Sequence, residues 1–321
     1  MNLATAFINP QTKLLRSGWR MLIFSALSPQ LFLLLLARAD HPQDGAVFDV
    51  SFPLITLFVA YIGWTLLIAW LCLRFLDRLK LASLGFAFHR GWWRDVLTGC
   101  LIGASMIAVV AGLQFAGGGT RVTPNPFWWR GGAIDYSGLQ TVAHETLGAL
   151  LLLILAGAFE ELIYRGYPFQ TLLRSVPTFV PILLFALLFG ISHWENPNST
   201  FLSTANTALA GIWLSLAYLK TRSLWLPTSL HFSWNWMMGA FFGLPVSGLT
   251  VPQHPIFVST SENPVWLTGG SYGCEGGIAV TVVIVIATIF IWRAKWLSVS
   301  PEMRAALSGQ TSEKQITTID L

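Results

Sequence analysis

The chain has 321 residues, of which 54% are apolar and only 11% charged, with a net charge of +4 and a mean hydropathy of +0.61. Soluble domains carry roughly 25% charged residues, and no soluble fold of this size can hide so many apolar segments; composition therefore excludes an ordinary soluble protein. The positive balance is no nucleic-acid signal, because no polybasic tract, RNA-binding motif or zinc finger accompanies it.

Apolar runs near spanning length recur along the whole chain and predict a polytopic, all-α membrane protein. About eight transmembrane helices are expected, near 20–37, 54–74, 96–116, 146–164, 179–195, 204–219, 224–243 and 277–293. With the N-terminus inside, only Arg38, Arg121 and Arg130 of the 19 basic residues fall outside. Such a bias predicts both termini in the cytoplasm, in what reads as a bacterial plasma membrane. Ala37-Arg38-Ala39 after the first apolar run also imitates a signal-peptide cleavage site, but the run is long for that role. Residues 1–140 form an N-terminal region of three spans, with an amphipathic cytoplasmic-face segment at 75–95 and an exterior loop at 117–145. A core follows at 141–245. Residues 246–297 hold a Gly/Pro-rich exterior loop, spanning 244–276, and the last span; 298–321 read as a flexible cytoplasmic tail. Cys72, Cys100 and Cys274 are unclustered, so no disulfide framework or thiolate metal cage is expected.

The chemistry concentrates in the core. Glu160 and Glu161 stand adjacent at the end of the run LLLILAGAFEELIYRG. A charge at the bilayer centre costs about 2.5–3.5 kcal/mol on insertion scales, so both acids need a reason. Arg165, four residues after Glu161, is placed to pair with it on one helical face. Glu160 has Ala156 and Tyr164 at its i±4 positions and must face another helix or water. An unpaired carboxylate there suits general acid–base work. His193 ends the run PILLFALLFGIS, before the polar turn WENPN. His231 and Asn235 share a face at i, i+4, with Pro227 expected to loosen their helix and free a carbonyl.

One carboxylate, two imidazoles and a carboxamide on three apolar spans can activate a water and stabilise an oxyanion. Glu160, His193 and His231 can equally be read as ligands of one divalent metal, zinc being the best match. His144-Glu145 begins like an HExxH zinc helix, but position 148 is Gly, so that pair reads as interfacial polar residues. Counted along straight spans, Glu160 and His231 lie roughly 6–10 Å inside the cytoplasmic boundary and His193 about 20 Å. The three meet only if their helices start deep, tilt, or line a water-filled funnel.

Three motifs, Glu160-Glu161-x-x-x-Arg165, Phe189-x-x-x-His193 and His231-x-x-x-Asn235, resemble in order those of the CPBP intramembrane proteases, which include the type II CAAX prenyl endopeptidases and the bacterial Abi, bacteriocin-processing relatives. The flanks ELIYRGYPFQ, LLFGISHWENPN and SLWLPTSLHFSWN, with Asn206 and Ala208-Leu-Ala-Gly-Ile between them, look alike too. The resemblance covers about 147–245; the first 140 residues carry no signature of it. It implies a CAAX-protease-like helical core and endopeptidase activity within the bilayer. It implies that Glu160 and His193 activate the attacking water, that His231 and Asn235 bind the oxyanion or complete a metal site, and that Arg165 holds Glu161. The implied partner is a peptide or membrane-protein substrate, prenylated in the CAAX case; no nucleic acid is expected. Two other functions use the same residues: a partner-binding membrane protein of this fold that cleaves nothing, and a proton-coupled transporter, which would favour inverted repeats that are not visible here.

Overall fold

The computed structural model describes residues 6–28, 51–261 and 264–308. Within them the chain is mostly helical. In order come α1 (Ser17–Leu27), α2 (Phe52–Leu71, continued by a π-helical turn Cys72–Asp77) and α3 (Trp92–Ala116). Next are β1 (Thr120–Pro124), β2 (Trp129–Arg130), β3 (Ala133–Ile134), α4 (Tyr136–Tyr164), α5 (Tyr167–Leu173), α6 (Phe179–Ser192) and α7 (Phe201–Thr221). Then follow α8 (Trp225–Trp236, continued by a π-helical turn Met237–Phe241), β4 (Phe257–Ser261), α9 (Val265–Thr268), α10 (Ile278–Arg293) and α11 (Pro301–Ser308).

Four described helical stretches are long and apolar enough to cross a membrane: Phe52–Asp77, Trp92–Ala116, Tyr136–Leu173 and Phe201–Thr221. These four coincide with four of the eight expected spans. The apolar helices α6 and α10 are shorter, α8 has only 12 helical residues before its π turn, and most of the first expected span lies outside the described residues, as does Ala37-Arg38-Ala39. The shortness of α8 has a physical cause. It packs against α3, α4 and α7 and is buried along Leu226–His231, so protein rather than lipid covers it and spanning length is not required. Lipid-facing surface is supplied elsewhere, by exposed Leu97, Leu101 and Phe115 on α3 and Leu183, Leu187 and Ile191 on α6. These apolar helices make the chain an integral membrane protein.

Close backbone approach sets α8 on α3. A Cβ on Gly99 would meet Ser229 Cβ at 2.8 Å, and one on Gly103 would meet the Leu230 carbonyl oxygen at 2.6 Å. Small residues four apart let two helices touch in this way. Gly103→Leu is expected to push α8 away and to cost about 1–3 kcal/mol by overpacking, read as a lower unfolding midpoint in detergent together with lost activity.

Three expected irregular segments turn out to be ordered. The loop expected at 117–145 is a ladder followed by the first turns of α4. β1 pairs antiparallel with β4, from Thr120 opposite Ser261 to Pro124 opposite Phe257. Alternating β-branched residues in both segments (Thr120, Val122, Thr123; Val258, Thr260) suit a pleated ribbon. Two short ribbons thus accompany a fold expected to be all-α. The start of α4 is set by Asp135, whose carboxylate accepts from Ser137 N and Gly138 N; these bonds and the Ser137 hydroxyl hold its pKa below the ordinary value. In the expected cytoplasmic-face segment 75–95, Asp77 is buried and ion-paired with Arg20, and with Arg174 at 2.9 Å. Of the expected flexible tail, residues 301–308 form α11, which buries Met303 against the 3-10 turn Leu81–Leu84.

Candidate active site

α4 delivers the two acids, and the 100° rotation between neighbouring helical residues separates their surroundings. Glu161 points inward and is fully buried. Arg165, also fully buried, donates from Nη1 to Glu161 Oε1 at 3.0 Å. Its Nη2 donates to the Gly211 carbonyl on α7 at 3.0 Å. Gly211 is also where α7 meets α6 most closely: a Cβ there would meet Ala186 Cα at 2.7 Å. The pairing expected from i, i+4 spacing is therefore present, and it also fastens α4 to α7.

His231 on α8 joins the two acids. Its Nδ1 lies 3.0 Å from the same Glu161 Oε1, and its Nε2 lies 3.8 Å from Glu160 Oε2. Glu161 is therefore more than an internal staple, since it also orients an imidazole. An N···O distance of 3.0 Å to a carboxylate requires a proton on Nδ1. Nε2 faces Glu160, and 3.8 Å is too long for a direct hydrogen bond. Glu160 Oε2 has no hydrogen-bond partner, although the side chain as a whole is 30% exposed.

α8 is held in register with α4 at two levels. Trp236 Nε1 donates to the Thr146 carbonyl at 2.9 Å. Near the site, Gly157 faces Phe232 and His231 at ordinary van der Waals distance, the nearest atoms lying 3.6 Å from where a Cβ would stand. Pro227 does not loosen the helix as expected. It sits in the first turn of α8, where no intrahelical N–H is needed, and the Ser223 carbonyl accepts from Thr221 Oγ1 instead. Asn235 lies one turn beyond His231 within α8, half-buried.

His193 follows the last residue of α6. Its Nδ1 lies 2.9 Å from the Phe189 carbonyl, so Nδ1 carries a proton and Nε2 is the nitrogen left for another partner. Phe189 is the ring round which the site assembles. Its centroid is 4.9 Å from that of His193, 5.9 Å from that of His231 and 5.0 Å from that of Tyr164, and the Arg165 guanidinium carbon lies 4.8 Å from it. The depth count along straight spans had separated His193 from Glu160 and His231. The structure brings it to the ring that His231 touches, because the C-terminal end of the 14-residue α6 packs beside Tyr164, near the end of α4.

The family model for the type II CAAX prenyl endopeptidase Rce1-like matches residues 142–237. Over those residues the match supports the CPBP/CAAX protease family. The match runs from the first turns of α4 to just past α8 and includes Glu160, Glu161, Arg165, His193, His231 and Asn235. No curated protein matches the chain.

Three polar contacts of this segment and its surroundings gave no signal in the sequence, although Asn206 and Glu145 were themselves noted there. Asn206 donates to the Glu275 and Gly277 carbonyls and accepts from Thr281, pinning the start of α10 to α7. Glu275 accepts from Trp234 Nε1 and from Ser247, tying the neighbour of Asn235 to the loop before α10. Glu145, beside the exposed His144, bonds His254 through both its ring and its backbone N–H at 2.8 Å. All three link residues 28 to 109 apart in sequence, beyond the reach of any local spacing rule.

Proposed function

We propose that the chain is an intramembrane endopeptidase of the CAAX type, cleaving a peptide bond of a membrane-tethered substrate near the cytoplasmic side. One observation carries the reading. Two adjacent acids meet a single imidazole from another helix, Glu161 locked between Arg165 and His231 Nδ1, and Glu160 facing Nε2 with its own Oε2 uncommitted. Glu161, Arg165 and a protonated His231 together leave Glu160 as the carboxylate available for proton transfer.

In the proposed reaction a water lies between Glu160 and His193 Nε2. Glu160 takes its proton as the oxygen attacks the scissile carbonyl carbon. His231 Nε2–H and the Asn235 amide donate to the oxyanion that forms. The C–N bond then breaks, and Glu160 returns the proton to the leaving amine. Arg165 holds Glu161, and Glu161 in turn fixes the ring of His231. Substrates of the CAAX type are prenylated C-terminal peptides; other membrane or leader peptides suit the same chemistry.

A zinc ion is the alternative activator, and its donors would be Glu160, His193 Nε2 and His231 Nε2. Among the described residues no group of three or more His, Cys, Asp or Glu is arranged to hold a metal, so the steps above run through none. Incubation with EDTA is expected to leave turnover unchanged. Loss of turnover that added zinc restores would transfer water activation to the metal. The proposal as a whole is tested by proteomics of peptide termini in cells carrying wild-type or Glu160→Gln protein. New termini confined to the wild type support it, and identical termini in both refute it.

A further inference from the structure

His193 and the His231–Asn235 segment reach the site from two helices, α6 and α8. Besides the Phe189 ring, a chain of hydrogen bonds joins them. The His193 carbonyl accepts from Asn196 N at 3.2 Å, and Asn196 Nδ2 donates to the Ser247 carbonyl at 3.0 Å. Ser247 donates twice to Glu275 Oε2, from its backbone N at 2.8 Å and from its hydroxyl at 2.9 Å. The other oxygen, Oε1, accepts from Trp234 Nε1 at 3.0 Å. Trp234 stands immediately before Asn235 and three residues after His231. The two central members, Ser247 and Glu275, lie outside the residues that the family model matches.

Both ends of this chain are braced. A Cβ on Gly248 would strike the Pro197 carbonyl oxygen, so the loop after Ser247 lies against the turn that follows His193. Asn206 of α7 donates to the Glu275 carbonyl at 2.8 Å. α8 needs an anchor at this level, because its regular helix ends at Trp236 and a π-helical turn begins at Met237, two residues past Asn235. Trp234 and Trp236 flank Asn235, one fixed by Glu275 and the other by the Thr146 carbonyl. A carboxylate suits the joint, since it accepts on both oxygens whereas an amide accepts on one. We propose that Glu275 is a positioning residue: by holding Ser247 and Trp234 together, it sets the spacing between the His193 turn and the His231–Asn235 segment. The chemistry it serves rests on the endopeptidase reading; the link itself does not.

Cleavage of a quenched-fluorescent peptide with a prenylated C-terminal cysteine motif, by the full chain in detergent, gives the first test. Glu275→Gln is expected to lower kcat about 10–100-fold with KM unchanged, since a misplacement of about 1 Å costs up to about 10² in rate. Trp234→Phe keeps a ring beside Trp213, 6.0 Å away, and removes only the N–H; a similar loss is expected. The double variant is expected to lose no more than Glu275→Gln alone, because both changes break one link. A tie that is structural alone would instead lower the unfolding midpoint and leave kcat per folded molecule unchanged. The second test needs no turnover. In protein labelled with nitrogen-15 in its histidine rings, the His193 signals are expected to shift in both variants, although three hydrogen bonds separate His193 from Glu275 and four from Trp234. Unchanged His193 signals in both variants, or full kcat in Glu275→Gln, overturn the proposal. If wild type and Glu160→Gln are equally inert toward the peptide, the endopeptidase reading fails, and the His193 signals alone decide the link.

Discussion

Glu160→Gln is expected to lower kcat by about 10²–10⁴-fold, the usual share of a positioned general base, with an unchanged unfolding midpoint. The amide has the same shape but accepts no proton. Stability is expected to hold because Glu160 Oε2 makes no hydrogen bond, its side chain is 30% exposed and its contact with His231 Nε2, at 3.8 Å, is a long one. The combination of lost turnover, retained fold and little change in KM separates a chemical role from a structural one. Full activity in the Gln variant would remove Glu160 from the mechanism.

Arg165→Leu should behave in the opposite way. It strips Glu161 of its guanidinium partner in a fully buried site and leaves the Gly211 carbonyl without its Arg165 bond. Breaking one side of a buried ion pair costs about 3–5 kcal/mol, because the remaining charge is uncompensated. The unfolding midpoint in detergent should fall sharply, and activity with it. Adding Glu161→Gln to Arg165→Leu should recover much of the stability, since no buried charge is then stranded, but not the activity, since His231 Nδ1 has lost its carboxylate. Arg165→Lys should rescue poorly: a single ammonium cannot reproduce the fork that reaches Glu161 and Gly211 together. A loss below about 1 kcal/mol in Arg165→Leu would place the pair among weak surface-like bridges and remove its assigned role.

The candidate residues were legible because each motif obeys a local rule. Glu161 and Arg165, and His231 and Asn235, stand four apart, and helical geometry alone puts each pair on one face. Glu160 stood out because it lacked such a partner. The span count was legible only in part. Hydropathy cannot separate an apolar helix facing lipid from one sheathed by protein, so α8 was read as a full span although α3, α4 and α7 cover it. The β1–β4 ladder was missed because its strands are separated by more than 130 residues, and the burial of Asp77 gave no local signal because its partners Arg20 and Arg174 lie 57 and 97 residues away.

Composition and periodicity by themselves determined that this chain lives in a membrane, is built of helices and gathers its polar residues in one stretch of its core. These properties follow from the cost of moving side chains and backbone out of water, which depends on local sequence. Only the tertiary structure decided that Glu161 is shared between Arg165 and His231, that Glu160 faces the other nitrogen of the same ring, and that Phe189 brings His193 to them. Those relations depend on how α4, α6 and α8 are rotated and shifted against one another. That is set by contacts between helices, among them the Trp236–Thr146 bond and the close approach of Gly211 to Ala186, none of which a spacing within one helix encodes.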